Sequence, residues 1–152
     1  MTTFEVAPIG FVSNQVTNPV DENWGEIVSR LEINPEYSRG LNGLGQFSHA
    51  IVLTYLNRAS FDPVKHLVRR PRGLDTMPEV GIFAQRAKDR PNSIGITAVR
   101  IVSVGEGFVE VKGLDAINGT PILDIKPYYP HYDSVKDARV PEWVDRLMQG
   151  YF

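Results

Sequence analysis

The chain has 152 residues, 42% apolar, 10% aromatic and 22% charged. That is the length of one ordinary domain, and burial of roughly 68–70% of the unfolded surface needs no covalent staples. There is no cysteine, which excludes disulfide scaffolds, thiolate zinc sites, iron–sulfur clusters and cysteine nucleophiles. The net charge of −2 conceals an asymmetry: Lys65–Arg100 carries eight basic and three acidic side chains, so this stretch is +5 and the remainder −7. Such a stretch suits an anion or nucleic acid, or equally a solvated loop with scattered arginines.

In chain order, the opening MTTFEVAPIGF has neither a basic n-region nor a long apolar h-region, so no signal peptide is expected. Phe4–Val12, Glu26–Ile33 and Phe47–Leu56 read as strands, rich in β-branched and aromatic residues with partial alternation. Between them, Pro35 or Glu36 to Arg39 reads as one helical turn ended by Gly40. Ser60–Pro78, with Pro63, Pro71, Pro78 and Gly73, suits neither strand nor helix and reads as a mobile basic loop. Further strands follow at Val80–Ala84, Ile94–Val104, Phe108–Lys112 and Pro121–Ile125, with a tight hairpin at Gly105-Glu106-Gly107. Pro141–Gln149 reads as a short helix with proline at its first position and Trp143/Leu147 and Val144/Met148 at i,i+4. Many short strands and little helix predict an all-β antiparallel barrel or sandwich. No apolar run approaches the ~20 residues of a membrane span, and the reading is one soluble, cytoplasmic domain over residues 1–152.

No phosphate-binding loop is present, and the glycines of GLNGLGQ do not follow a strand and open a helix, so a dinucleotide fold is not expected. The three histidines, His49, His66 and His131, lack the spacing of a zinc hydrolase, and no metal is expected. Two segments concentrate constrained polar residues. GIFAQRAKDRPNSIG sets Arg86 and Arg90 four apart before Pro91, which fixes its own φ and biases Arg90 toward extended backbone. An arginine fork held so suits carboxylate or phosphate. GLDAINGTPILDIKPYYP carries a turn at Asn118–Pro121 flanked by Asp115, Asp124 and Lys126. From the residues alone, both segments also read as ordinary strand–turn–strand scaffolding.

These segments resemble G-V-F-A-T-R-S-x-x-R-P-N-P-I-G and L-D-x-x-D-G-T-P-V-L-D-I-K-P-Y-x-P, patterns of the TrmO family (also called TsaA-like or YaeB-like). GLNGLGQFSHAIVL resembles that family's G-L-x-x-F-S-H-x-x-V-L segment, and the matches run in order from about residue 7 to residue 133. The chain departs from the pattern at Ser93 (for proline), at Asn118 (for aspartate) and at Ala87-Lys88. The resemblance implies a single-sheeted antiparallel β-barrel with a short C-terminal helix, a homodimer, and methyl transfer from S-adenosylmethionine. The implied acceptor is the exocyclic N6 of threonylcarbamoyladenosine beside the anticodon of tRNA. Carried over residue by residue, it assigns the cofactor to Arg86, Leu56, Asn57, Ile96, Asp115 and the turn Asn118, Gly119, Thr120 and Pro121. Trp24, in the region Asp21–Trp24, corresponds to a cofactor loop of different sequence. A base that removes the N6 proton would help a poorly nucleophilic urea nitrogen, and His49, Asp115 and Asp124 are the candidates. Arg90 and Asn92 fall to holding the substrate or shaping the turn, Lys126 and Tyr128 to the substrate side, and Arg69, Arg70 and Arg72 to tRNA phosphates. The alternatives are methylation of a small molecule, or a cofactor-binding regulatory module without turnover.

Overall fold

Alternation of inward apolar and outward polar side chains builds the sheet. The computed structural model describes all 152 residues. Strand β1 is Gly10–Ser13. In β2 (Val28–Ile33), Ser29, Leu31 and Ile33 are buried while Val28, Arg30 and Glu32 face solvent. In β3 (His49–Tyr55), Ala50, Val52 and Thr54 point inward. Helix α1 (Pro63–His66), strand β4 (Val68–Arg69) and strand β5 (Val80–Gly81) follow. The twelve-residue β6 (Ile94–Gly105) turns through Glu106-Gly107 into β7 (Phe108–Lys112), with Gly107 at φ 77° where side chains other than glycine are disfavoured. After β8 (Pro121–Pro127) come two short helices, α2 (Pro130–Asp133) and α3 (Glu142–Leu147).

The strands close into an antiparallel six-stranded barrel in the order β1-β2-β7-β6-β3-β8, and β4 pairs with β5 as a separate ribbon. Inward side chains fill the interior: Val12, Leu31, Val52, Val99, Val109, Val111 and Ile122 are at most 2% exposed. Leu41, Leu44, Leu114 and Ala116 from the connections pack against them. Truncating one such large side chain costs about 2–5 kcal/mol. Because neighbours run antiparallel, one end of the barrel gathers the C-terminal ends of β1, β3 and β7 with the N-terminal ends of β2, β6 and β8.

Several expectations change. The first strand begins only at Gly10: Pro8 has no N–H to give, and Phe4 and Val6 remain exposed. Val80–Ala84 is a strand for two residues only, since Ile82 turns into a 3₁₀ helix and buries its side chain. Ser60–Pro78 is not structureless. Asp62 caps α1 by accepting from the Val64 N–H (2.9 Å), Pro63 opens the helix, and the Arg70 guanidinium donates to the Met77 carbonyl. Pro71 and Met77 are buried beneath it. The predicted turn after Asn34 is a 3₁₀ helix over Pro35–Leu41, and α3 is shorter than expected, Pro141 being its cap.

Candidate functional site

The barrel end just described collects most of the residues assigned to the cofactor. Trp24 opens a 3₁₀ turn just before β2; it is 3% exposed, with its indole N–H on the Val20 carbonyl (3.0 Å). Leu56 and Asn57 follow β3, and the Leu56 N–H donates to the Ser93 carbonyl (2.8 Å). Arg86 reaches the start of β6, donating to the Ile96 carbonyl (2.9 Å), and its side chain is otherwise exposed. Asp115 is tied to the inward-facing Thr97, whose hydroxyl donates to one carboxylate oxygen, while the Tyr151 hydroxyl donates to the other. The turn Asn118–Pro121 is held by the Asn118 N–H on Val16 (2.7 Å), the Gly119 N–H on Val12 (2.7 Å) and the Thr120 hydroxyl on Ile117 (2.7 Å).

The Arg86 loop has a distinct construction. Arg90 donates to the carbonyls of Gln85 (3.0 Å) and Ala87 (3.2 Å), so its guanidinium braces its own loop. Asn92 is exposed beside it. Ser93 stands at φ 43°, a conformation closed to the proline of the resembled pattern, and it folds its N–H and hydroxyl onto the Arg90 carbonyl. Gly95 is required by close packing: a Cβ there would lie 2.5 Å from Thr54 Oγ1 and 3.3 Å from Leu56 Cδ2.

The three base candidates do not converge. Asp124 sits in one outward-facing row with Leu53 and Ile96, and its carboxylate meets Lys126 at 2.9 Å. That hydrogen bond and charge hold the Lys126 ammonium above its ordinary value. Asp115 engages the inward side of the same sheet through Thr97. His49 begins β3 at the other end of the strand, on the order of 20 Å from Leu56 at strand rise. There its Nδ1 meets the Ser48 hydroxyl (2.7 Å) and its ring stands edge-on to Tyr128 (6.3 Å). A cleft of about 580 Å³ lined by Phe47, Ser48, His49, Tyr128, Tyr129 and His131 lies at that end. No group of three or more His, Asp or Glu side chains could hold a metal ion.

The arginines assigned to phosphates are engaged within the protein. Arg69 faces Asp89 (4.0 Å), Arg70 binds the Met77 carbonyl, and Arg72 lies between Asp21 (4.0 Å) and the Tyr151 ring (5.5 Å). Asp89 links the two basic segments, accepting from Lys88 (2.9 Å) and the Ser60 N–H (3.1 Å). Burial opposes its charge, but Lys88, Ser60 and His66 together hold its carboxyl below the usual range.

Two residues at this end had no assignment from sequence. Thr97 carried a signal, being a hydroxyl at an inward position of an apolar strand. Tyr151 carried none, because its partner Asp115 lies 36 residues away in the chain.

Comparison with known proteins identifies the family and the fold. Residues 13–134 match the family model for the tRNA-methyltransferase O N-terminal domain. A probable S-adenosyl-L-methionine-binding protein of Pyrococcus abyssi is 35% identical over 144 residues, covering 91% of this chain and 75% of that protein. A human protein named tRNA (adenine(37)-N6)-methyltransferase is 40% identical over 117 residues, 76% of this chain but 25% of its own length. The crystal structure of TrmO from Pseudomonas aeruginosa superposes with a TM-score of 0.73 at 32% identity, over 91% of this chain and 62% of that one. With a matching barrel and a family model spanning most of its length, this chain belongs to the TrmO family.

Proposed function

We propose that this chain is an S-adenosylmethionine-dependent methyltransferase that modifies the exocyclic N6 of threonylcarbamoyladenosine in tRNA, as a cytoplasmic homodimer built on one β-barrel domain. The observation that carries the reading is the gathering of Trp24, Leu56, Arg86, Ile96, Asp115 and the Asn118–Pro121 turn at one barrel end. Names of relatives support it: S-adenosyl-L-methionine-binding protein in Pyrococcus abyssi and tRNA (adenine(37)-N6)-methyltransferase in human and rat.

The donor set fits the cofactor's chemistry. An exposed guanidinium (Arg86) suits its carboxylate, an aspartate (Asp115) suits a cationic group, and Leu56 and Ile96 offer apolar surface to a purine. When bound, S-adenosylmethionine supplies a methyl group already activated on a sulfonium. The protein's part is then alignment. Arg86 is aimed by the Ile96 carbonyl, and Arg90 and Ser93 hold the loop that carries it. On this reading the N6 proton passes to Asp115 or Asp124, which lie toward the inner and outer faces of the β3–β6 sheet. His49 stands apart from both.

A small-molecule acceptor is the second reading, favoured by the internal engagement of Arg69, Arg70 and Arg72. The test is methyl transfer from labelled S-adenosylmethionine to threonylcarbamoylated tRNA, with unmodified tRNA as control. Label in the modified tRNA alone supports the first reading. No label in either, with cofactor binding intact, moves the acceptor search to small molecules. Asp115→Asn and Asp124→Asn, compared at saturating cofactor, separate the two proton acceptors.

A further inference from the structure

The family match ends at residue 134, yet a side chain beyond it enters the candidate site. The segment Gly150–Phe152 lies along the turn before β2. The Asn23 N–H donates to Gly150 (2.8 Å) and the Trp24 N–H to Tyr151 (2.8 Å). Gly25 allows this approach: a Cβ there would fall 2.5 Å from the Phe152 carbonyl carbon. Thus anchored, the Tyr151 ring lies under the Arg72 guanidinium (5.5 Å) and edge-on to Phe152 (4.8 Å). Its hydroxyl reaches Asp115. Four separate parts of the chain meet here: the Asp21–Trp24 region, the Arg72 loop, Asp115 and this segment.

We propose that Tyr151 is a positioning residue for the cofactor site, fixing the Asp115 carboxylate between its own hydroxyl and that of Thr97. The proposal rests on the cofactor reading above. One hydroxyl comes from the barrel wall and the other from outside the family core, so the two donors grip different oxygens of one carboxylate. A carboxylate has about four acceptor sites, so both oxygens keep capacity for a ligand cation while rotation is suppressed. Burial, followed by the neighbouring Asp115 charge, pushes the Tyr151 phenol above its ordinary value, which keeps it a donor. Without the hydroxyl, Asp115 would be held on one side only, and a ligand would have to order it on binding.

The test compares S-adenosylmethionine and S-adenosylhomocysteine binding by calorimetry for wild type, Tyr151→Phe, Asp115→Asn, the double variant and Arg86→Ala. Thermal midpoints and the KM-against-kcat split are measured in parallel. Tyr151→Phe keeps the ring under Arg72 and removes only the donor. The expected result is about tenfold weaker binding, the scale of a hydrogen bond to a charged group. KM for the cofactor should rise more than kcat falls, and the Tyr151→Phe effect should vanish in the Asp115→Asn background. A shift in thermal midpoint with unchanged affinity would make Tyr151 structural and overturn the proposal. Tighter binding by Tyr151→Phe would overturn it too, since the segment would then obstruct the site. If Arg86→Ala weakens binding and Tyr151→Phe does not, the cofactor reading stands and this inference fails. If Arg86→Ala and Asp115→Asn both bind like wild type, both fail.

Discussion

Restoring the family's proline by Ser93→Pro is the kind of change that stabilises many proteins, and here it should do the opposite. Ser93 has φ 43°, about 110° from the value near −65° that a proline ring enforces. Proline also removes the N–H that donates to the Arg90 carbonyl at 3.2 Å, and with it goes the hydroxyl bond to the same oxygen at 3.0 Å. Each such bond is worth about 0.5–1.5 kcal/mol net. Turning the residue also displaces its carbonyl, the acceptor for the Leu56 N–H at 2.8 Å. Together these losses amount to about 2–4 kcal/mol. A chain of this length loses about 2–4 °C per kcal/mol, so the thermal midpoint should fall by about 4–16 °C. Two controls isolate the ring. Ser93→Ala keeps the N–H and loses only the hydroxyl bond, for about 1 kcal/mol. Ser93→Gly loses the same bond but relieves about 1–2 kcal/mol of left-handed strain, so it should melt above the alanine variant. Thermal and urea unfolding supply the measurement. A proline variant that melts with wild type, or a glycine variant below alanine, would refute the reasoning.

Gly95→Ala should cost about 1–3 kcal/mol in urea unfolding through its overlap with Thr54, whereas Gly81→Ala, whose Cβ meets nothing nearer than 3.9 Å, should change little. Arg90→Ala frees the carbonyls of Gln85 and Ala87 and should speed tryptic cleavage within Arg86–Lys88 severalfold; unchanged cleavage would mean that Arg90 does not brace the loop. Asp89 has a lowered folded pKa, so its stabilisation is present above its ordinary value of 3.8 and lost as pH falls through the lower folded value. The melting difference between wild type and Asp89→Asn should therefore be constant near neutrality and shrink in acid below about pH 4. Tyr151 has a raised folded pKa, so its contribution is intact below pH 10 and declines as pH rises toward the folded value. The phenolate absorbance of wild type minus Tyr151→Phe at about pH 10.5–11 should accordingly be smaller in folded than in unfolded protein.

The barrel strands were legible because period-two alternation is a local property: β7 appears at its predicted bounds, and β2, β3 and β6 lie within two residues of theirs. What sequence reading missed depends on partners. Val80–Ala84 has strand-like composition, but only two residues find a ladder, opposite Val68–Arg69. The prolines and arginines of Ser60–Pro78 suggest a solvated loop, whereas Asp62 before Pro63 is a local helix-start signal that the structure uses. At the site, Arg86, Ile96 and the Asn118–Pro121 turn were recognisable through motif resemblance. The inward and outward division of Asp115 and Asp124 depends on strand facing and on the bulge of β8 between its pairings with Leu53 and Thr54. Nothing local to residue 151 could announce a contact with residue 115.

The barrel closes through a short joint. Strands β1 and β8 are in register only at Gly10↔Ile122 and Phe11↔Pro121, whereas β3 and β6 stay paired from His49↔Arg100 to Tyr55↔Ile94. A few bonds extend the joint, from the Ile9 N–H to Ile122 (2.8 Å), the Val12 N–H to Thr120 (2.9 Å) and the Gly119 N–H to Val12 (2.7 Å). Sub-global opening should therefore begin here, and the amides of Val12 and Gly119 should exchange with solvent deuterium before those of β3. The same joint carries the Asn118–Pro121 turn, so opening it takes apart one wall of the candidate site. A ligand held there at a hundred times its Kd would add about 2.7 kcal/mol to that opening. Deuterium uptake at the Val12 amide, which belongs to β1 and not to the turn, would then report occupancy of the site through the seam that closes the barrel.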